Sequence, residues 1–322
     1  MGLISDRTAS EIKDAASVLI NGNLVAFPTE TVYGLGANAT DEVAISRIYQ
    51  VKGRPTDHPL IVHISSIENV DKWARNIPNY AIKLAKAFWP GPMTLVLPRT
   101  DLAKDFITGG QNNVGIRVPA HNLALELLKE FEVQGGLGVA APSANRFGAV
   151  SPTTASAVEI ELGKYFSKDD IIIDGGPSLV GIESTIIDCT QGIPSILRPG
   201  GITREAIEQL VGNKVGIDNK NLSVNKIKTP GLLESHYAPK ANVFLHGKPS
   251  KCDGLIALAS ISTPNGAVRL ASPTNNEQFA QQLYAALRAA DARKLQNVYV
   301  IPPTGDGIAI AINDRLRKSS KR

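Results

Sequence analysis

Between Asp170 and Gly200 the chain reads "DIIIDGG", "STIIDCT" and "SILRPG", three apolar strand-like runs in quick succession with no helical segment between them. A doubly wound sheet needs a crossover helix between neighbouring parallel strands, so this stretch points to a mixed α/β sheet instead. Helices and strands alternate more freely ahead of it. Thr8 and Glu11 form a capping box before the periodic apolar positions Ile12, Ala15, Ala16, Leu19 and Ile20, and Gly22 stops that helix. "DEVAISRIYQVKG" reads as a second helix ending at Gly53, and "PLIVHI" as a strand too apolar to have a wet face. From 212 to 240 Asn, Lys, Gly and Pro dominate and no period survives, which is the composition of a connector. A β–β–α–β–α order follows. With 322 residues, 43% of them hydrophobic, two cores are within reach. The chain therefore divides into a large mixed α/β unit over 1–211, a connector over 212–240 and a small α/β unit over 241–322.

The stretch "VKGRPTDHPLIVHI", residues 51–64, concentrates cations and hydrogen-bonding groups in a stiff loop. Lys52 and Arg54 flank a glycine, which lets backbone approach a ligand while a point charge and a planar fork reach it. Pro55 and Pro59 reduce the entropy lost on binding. His58 reads equally as a surface residue, whereas His63 sits within an apolar strand and must find a partner there, structural or functional. "VAAPSANRFGAVSPTTA" offers Ser143, Asn145, Ser151, Thr153 and Thr154 on a loop that opens into a helix. That is either an anion site or a helix cap supplied by Ser151 or Thr153. "FPTETVYGLG" presents Thr29, Glu30, Thr31 and Tyr33, and "GIESTIIDCT" presents Ser184 and Thr185. Arg117 and Arg198 lie inside apolar strands, where a guanidinium requires an anion, either a ligand or an internal carboxylate.

Several chemistries are set aside on the same footing. Gly34, Gly36 and Ala39 match a dinucleotide-binding spacing but do not follow directly on a strand, and no Walker A sequence occurs, so any ATP binds by another geometry. The five histidines show no i, i+4 pair and no neighbouring cysteine, so no resident metal is expected. No nucleophile elbow is present. Two cysteines, no signal-peptide core and no apolar run of about eighteen residues indicate a cytoplasmic protein without membrane contact. The net charge of +4 suits anionic small molecules or loose contact with nucleic acid.

"FPTETVYGLGANA", "KGRP…HPLIVHI", "FWPGPMTLVLP", "GIRVPAH", "APSANRFGAVSPTTA", "DGGPSLVGIESTIID" and "LRPGGIT" together resemble the YrdC-like family over roughly residues 10–207. "HYAPKA" and the ending "NVYVI…INDRLRKSS" resemble its longer, two-domain threonylcarbamoyl-AMP synthases. The resemblance implies an open twisted mixed sheet with a concave ligand face, plus a small C-terminal Rossmann-like domain. It also implies a reaction in which L-threonine, bicarbonate and ATP, with Mg2+, give threonylcarbamoyl-AMP and pyrophosphate. A downstream tRNA threonylcarbamoyltransferase then uses that adenylate, and a weak contact with tRNA itself is compatible. Carried onto this chain, the family pattern sets threonine against Thr31, His63, Arg117, Ala141 and Ser184. ATP falls against Lys52, Arg54, His58, Asn113, Ser143, Asn145, Ser151 and Arg198, with Lys52, Arg54 and His63 as the catalytic set and Tyr237 as a lid. Three positions depart from the pattern: His58 replaces a usual asparagine, Asn113 a commoner threonine, and Ser235 a basic residue. The alternatives are a double-stranded RNA or tRNA-binding module without catalysis and a carbamoyl-adenylate-forming carbamoyltransferase.

Overall fold

Eleven strands of the computed structural model, which describes residues 2–4, 9–217, 227–229 and 237–321, join in one mixed sheet. They are β1 (Gly2–Ile4), β2 (Val25–Phe27), β3 (Gly34–Asn38), β4 (Ile61–His63), β5 (Met93–Pro98), β6 (Asn113–Arg117), β7 (Val139–Ala140), β8 (Ile171–Ile173), β9 (Thr185–Asp188), β10 (Ser195–Arg198) and β11 (Gly216–Ile217). Their order across the sheet is β1-β8-β2-β3-β7-β4-β6-β5-β9-β10-β11. Of the run of strands from β8 to β10 only β9 and β10 pair with each other. β8 joins β2, whereas β9 joins β5 in parallel and β10 runs antiparallel to β9. β11 lies in the stretch read as connector, because a two-residue strand between polar residues carries no period to read.

The second unit is a four-stranded, wholly parallel sheet of β12 (Asn242–Phe244), β13 (Gly254–Ile256), β14 (Val268–Ala271) and β15 (Asn297–Val300), ordered β12-β15-β13-β14. β14 was not expected from the sequence. It follows a Pro-Asn-Gly turn and carries Arg269, whose guanidinium is absorbed by the carbonyls of Ala257, Leu258, Ile261 and Ala271. The helices are α1 (Ala9–Ile20), α2 (Glu42–Lys52), α3 (Val70–Trp73), α4 (Asn79–Phe88), α5 (Asp105–Thr108), α6 (Asn122–Val133), α7 (Ala155–Leu162), α8 (Arg204–Val211), α9 (Asn276–Ala292) and α10 (Ile308–Ser319). Among the described residues none is long and apolar enough to cross a membrane.

Two local details position the site. The glycines of "GLGAN" form β3 rather than a nucleotide loop. A Cβ at Gly36 would stand 2.8 Å from both the Phe27 ring and Val139, so only glycine lets β2 and β7 close around this strand. α2 begins at an Asp41 cap and ends at Gly53 in the left-handed region, φ 61°, which turns the chain out of the helix directly before Arg54. Thr8, the first half of the expected capping box, lies outside the described residues, as do Ser235 and His236 of the connector.

Candidate active site

Strand register brings the first polar groups together. β4 pairs in parallel with β6, which sets His63 opposite Arg117, and β7 runs antiparallel on the other side of β4 with Val139 opposite His63. The chain leaves β7 through Ala141 and Ser143, and the turn between β2 and β3 supplies Thr29 and Thr31. Ser184 precedes β9, and a register shift between Ile196 and Arg198 re-aims the last residue of β10. Thr31, Arg54, His63, Arg117, Ala141, Ser143, Glu183, Ser184, Arg198 and Tyr237 all line one cavity.

The arginines that line that cavity differ in how their charge is met. Arg117 is buried and paired: its Nη2 stands 2.6 Å from Glu30 Oε1 and 2.9 Å from Thr31 Oγ1, and Glu30 Oε2 accepts the Ala120 N–H at 3.0 Å. Thr29 donates its hydroxyl to the Val32 carbonyl at 2.6 Å, so in the 2.8 Å contact between the two threonines Thr31 is the donor. Thr31 therefore offers a ligand only an acceptor. Among the described residues Arg54 has no such carboxylate within ion-pair distance. Its Nη2 donates to the Pro59 carbonyl at 2.9 Å, its Nε has no partner, and Arg198 lies near enough to repel it. Burial, with Arg198 adding to it, brings the Arg54 guanidinium down to about 10. Arg198 turns its Nε and Nη2 to the Ser184 carbonyl at 3.1 and 2.9 Å, and Ser184 Oγ sits 2.8 Å from Thr94 Oγ1.

Residues 17–200 match the Sua5/YciO/YrdC family model, described as telomere recombination, and residues 202–321 match the model described as the C-terminal domain of threonylcarbamoyl-AMP synthase. The chain is 41% identical to the threonylcarbamoyl-AMP synthase of Pyrococcus abyssi over 96% of its own length and 94% of that protein's. It is 39% identical to the threonylcarbamoyl-AMP synthase of Bacillus subtilis over 96% and 93%. The chain belongs to the threonylcarbamoyl-AMP synthase family. The crystal structure of P. abyssi Sua5 complexed with L-threonine superposes with a TM-score of 0.89 at 39% identity, covering 99% of this chain and 98% of that one. Escherichia coli YciO, at 22% identity and a TM-score of 0.52 over 62% of this chain, shares the fold of the first unit. These likenesses support an ATP-using synthase rather than a tRNA-binding module or a carbamoyltransferase.

Not every residue read as part of the synthase site reaches the cavity. Lys52 is buried at the end of α2, and its Nζ donates to the Ser143 and Asn145 carbonyls, each at 2.5 Å. It grips the loop that carries Ser143 into the cavity wall and does not itself line the cavity. Ser151 is one step back, donating to Glu183 Oε1 at 2.7 Å, and α7 is capped by Thr154, not by Ser151 or Thr153. Asn145 donates to the Arg146 and Ala149 carbonyls, leaving its Oδ1 without a partner. His58 packs edge-on against Phe147 at 5.3 Å, and the Arg54 guanidinium lies over the same ring at 5.9 Å. Asn113 lines an adjoining groove that shares Ile61 with the cavity and is bordered by Ile227 and Lys228 of the connector. Tyr237 stacks on Tyr284 of the second unit, ring centroids 5.7 Å apart.

Two carboxylates were missed as site residues. Glu30 was legible as a polar position without a role, and Glu183 stands directly before the run "STIIDCT" read as strand. Neither sits within an apolar run, so the signal that marked Arg117 and Arg198 does not single them out.

His63 is held neutral, its imidazole lowered to about 3 first by burial and then by the Arg117 charge. Because the folded value lies below the unfolded one, His63 supports folding above about pH 6.5, and that support fades as pH falls toward 3. About 2 kcal/mol of it is gone near pH 5. The imidazole proton signals of His63 are expected to stay fixed from about pH 8 to about pH 5. A titration midpoint near 6.5 in that spectrum would contradict the buried, neutral ring.

Proposed function

We propose that the cavity binds L-threonine at its Arg117 end and the triphosphate of ATP at its Arg54 and Arg198 end, and joins them through bicarbonate. The observation that carries this reading is the charge asymmetry: Arg117 already has Glu30, whereas Arg54 has no carboxylate within ion-pair distance among the described residues. A zwitterion suits the first environment and a polyanion the second. Arg117 would meet the threonine carboxylate through Nη1, since its Nη2 is held by Glu30 and Thr31 and its Nε by the Gly91 carbonyl. Thr31 and the Ala141 carbonyl would accept from the substrate's amine and hydroxyl, since the Ala141 N–H is committed to the Ile61 carbonyl at 3.0 Å. Neutral His63 and Ser184 complete that end.

The amine and bicarbonate form a carbamate with loss of water. A carbamate oxygen then attacks the α-phosphorus, and the bond to the β-phosphate breaks to release pyrophosphate. Holding these groups in line can supply about 7–11 kcal/mol of barrier lowering. Arg54 and Arg198 would meet the charge that grows on the departing pyrophosphate. Among the described residues no three carboxylates, histidines or cysteines gather to hold a metal, so Mg2+ belongs with the triphosphate and no protein cage is assigned to it. Lys52 acts through the loop it holds, which carries Ser143 and Asn145. The connector, residues 212–240, serves as a lid through Tyr237, sheltering the carbamate from water. The adenylate then passes to a transferase that modifies tRNA.

Incubation with ATP, Mg2+, L-threonine and labelled bicarbonate is expected to yield labelled threonylcarbamoyl-AMP by mass, with one pyrophosphate per adenylate. Pyrophosphate release that ignores threonine, or equal use of serine, would defeat the assignment of Thr31 and His63.

A further inference from the structure

The cavity wall is completed from the second unit. Glu183 lines the cavity, yet both of its oxygens are occupied: Oε1 accepts from Ser151 at 2.7 Å, and Oε2 accepts from the Tyr284 hydroxyl at 2.9 Å and from Arg315 Nε at 2.8 Å. Tyr284 stands on α9 and Arg315 on α10, both fully buried between the units. α9 also carries Arg288, whose Nη2 donates to the carbonyl of Val150 while its Nη1 pairs with Glu161 at 3.1 Å. The segment Val150–Ser151 is thus gripped by its backbone through one arginine and by its hydroxyl, by way of Glu183, through another. The same two residues seat Tyr237, with the Arg315 guanidinium 5.3 Å above its ring and Tyr284 stacked on it.

Stability alone does not account for this cluster. Burial would raise the Glu183 carboxyl, but Arg315, then Arg198 and the hydrogen bonds, outweigh it and hold it near 2. A buried ion pair is commonly no more stable than apolar residues of the same volume. Arg315 also leaves its Nη2 without a hydrogen bond. What the cluster supplies over an apolar contact is direction: a carboxylate fixed at both oxygens can hold the Ser151 hydroxyl in only one orientation.

We propose that Arg315 and Tyr284 are positioning residues for the nucleotide end of the cavity, acting on Ser151 through Glu183. This rests on the resemblance that puts Ser151 on the nucleotide side, and on Glu183, which stands between its hydroxyl and the cavity, so Ser151→Ala is measured alongside. Three variants of the full chain, Ser151→Ala, Tyr284→Phe and Arg315→Lys, are compared for KM of ATP, KM of threonine, kcat and melting temperature. Tyr284→Phe keeps the ring on Tyr237 and removes one donor, and is expected to raise the ATP KM about fivefold. Arg315→Lys keeps the charge and loses the fork, for a rise of about tenfold, with the threonine KM unchanged within about twofold. In Ser151→Ala/Tyr284→Phe the second change is expected to add nothing to the first. Should Arg315→Lys fail to accumulate, Tyr284→Phe and the double variant still decide the matter. A lowered melting temperature with both KM values intact, or both rising alike, would reduce the cluster to packing and overturn the proposal. An unchanged ATP KM in Ser151→Ala would remove Ser151 from the nucleotide side instead, and the proposal with it.

Discussion

Arg117→Ala is expected to lose threonine-dependent turnover by about a hundredfold and to unfold about 3–5 kcal/mol more easily. The two losses have different origins. Activity falls because the guanidinium that would hold the amino-acid carboxylate is gone. Stability falls because Glu30 is left buried with its charge and only the Ala120 N–H for a partner. The double variant Arg117→Ala/Glu30→Gln separates them. Removing both charges restores much of the melting temperature while activity stays lost, because no cation remains for the substrate. Arg117→Lys keeps the charge without the planar geometry and falls between, with a raised threonine KM. Normal threonine KM in Arg117→Ala, measured at saturating ATP, would take this residue out of substrate binding.

What the sequence made legible follows the range of the forces involved. The mixed sheet could be read from 170–200 because three strands with no helix between them leave few arrangements, and the end of α2 could be read because Gly53 is a local signal realised locally, at φ 61°. β3 was hidden because glycines carry no side-chain pattern. Its evidence is the space that Phe27 and Val139 leave for it, which belongs to other strands. β14 was hidden because Arg269 reads as a solvated cation until its carbonyl partners are placed around it.

The site divides along the same line. Nine of the residues expected there, Thr31, Arg54, His63, Arg117, Ala141, Ser143, Ser184, Arg198 and Tyr237, line one cavity, although they come from strand ends and loops spread over the chain. Their chemistry was visible position by position. Their partners were not: Glu30 pairs with a residue 87 positions away and Glu183 with one 132 away, distances over which no periodicity survives. Lys52 shows the limit most clearly. A lysine beside a glycine at a helix end suggests a mobile cation, and only the path of residues 143–147 around that helix end reveals that its ammonium is enclosed by two carbonyls.

Arg54→Met is expected to behave in the opposite sense to Arg117→Ala: kcat/KM for ATP falls about ten- to a hundredfold while the melting temperature holds or rises. The loss is that of a charge-assisted contact to the phosphates, about 1.5–3 kcal/mol. The stability argument starts from what Arg54 lacks. It is buried beside Arg198 and over the Phe147 ring with one carbonyl acceptor, an unpartnered Nε and, among the described residues, no carboxylate within ion-pair distance, and its guanidinium is drawn down to about 10, first by burial and with that neighbour adding to it. Such a charge strains the unliganded protein, and an anion relieves it. Methionine fills similar volume without the charge, so the strain disappears along with the binding. Pyrophosphate gives the direct reading. It should raise the melting temperature of the wild-type protein and leave that of Arg54→Met unmoved, because only a folded site with both cations discriminates in its favour. A variant that melts several degrees lower yet keeps its pyrophosphate response would mean that Arg54 is a structural ion and that the triphosphate lies elsewhere.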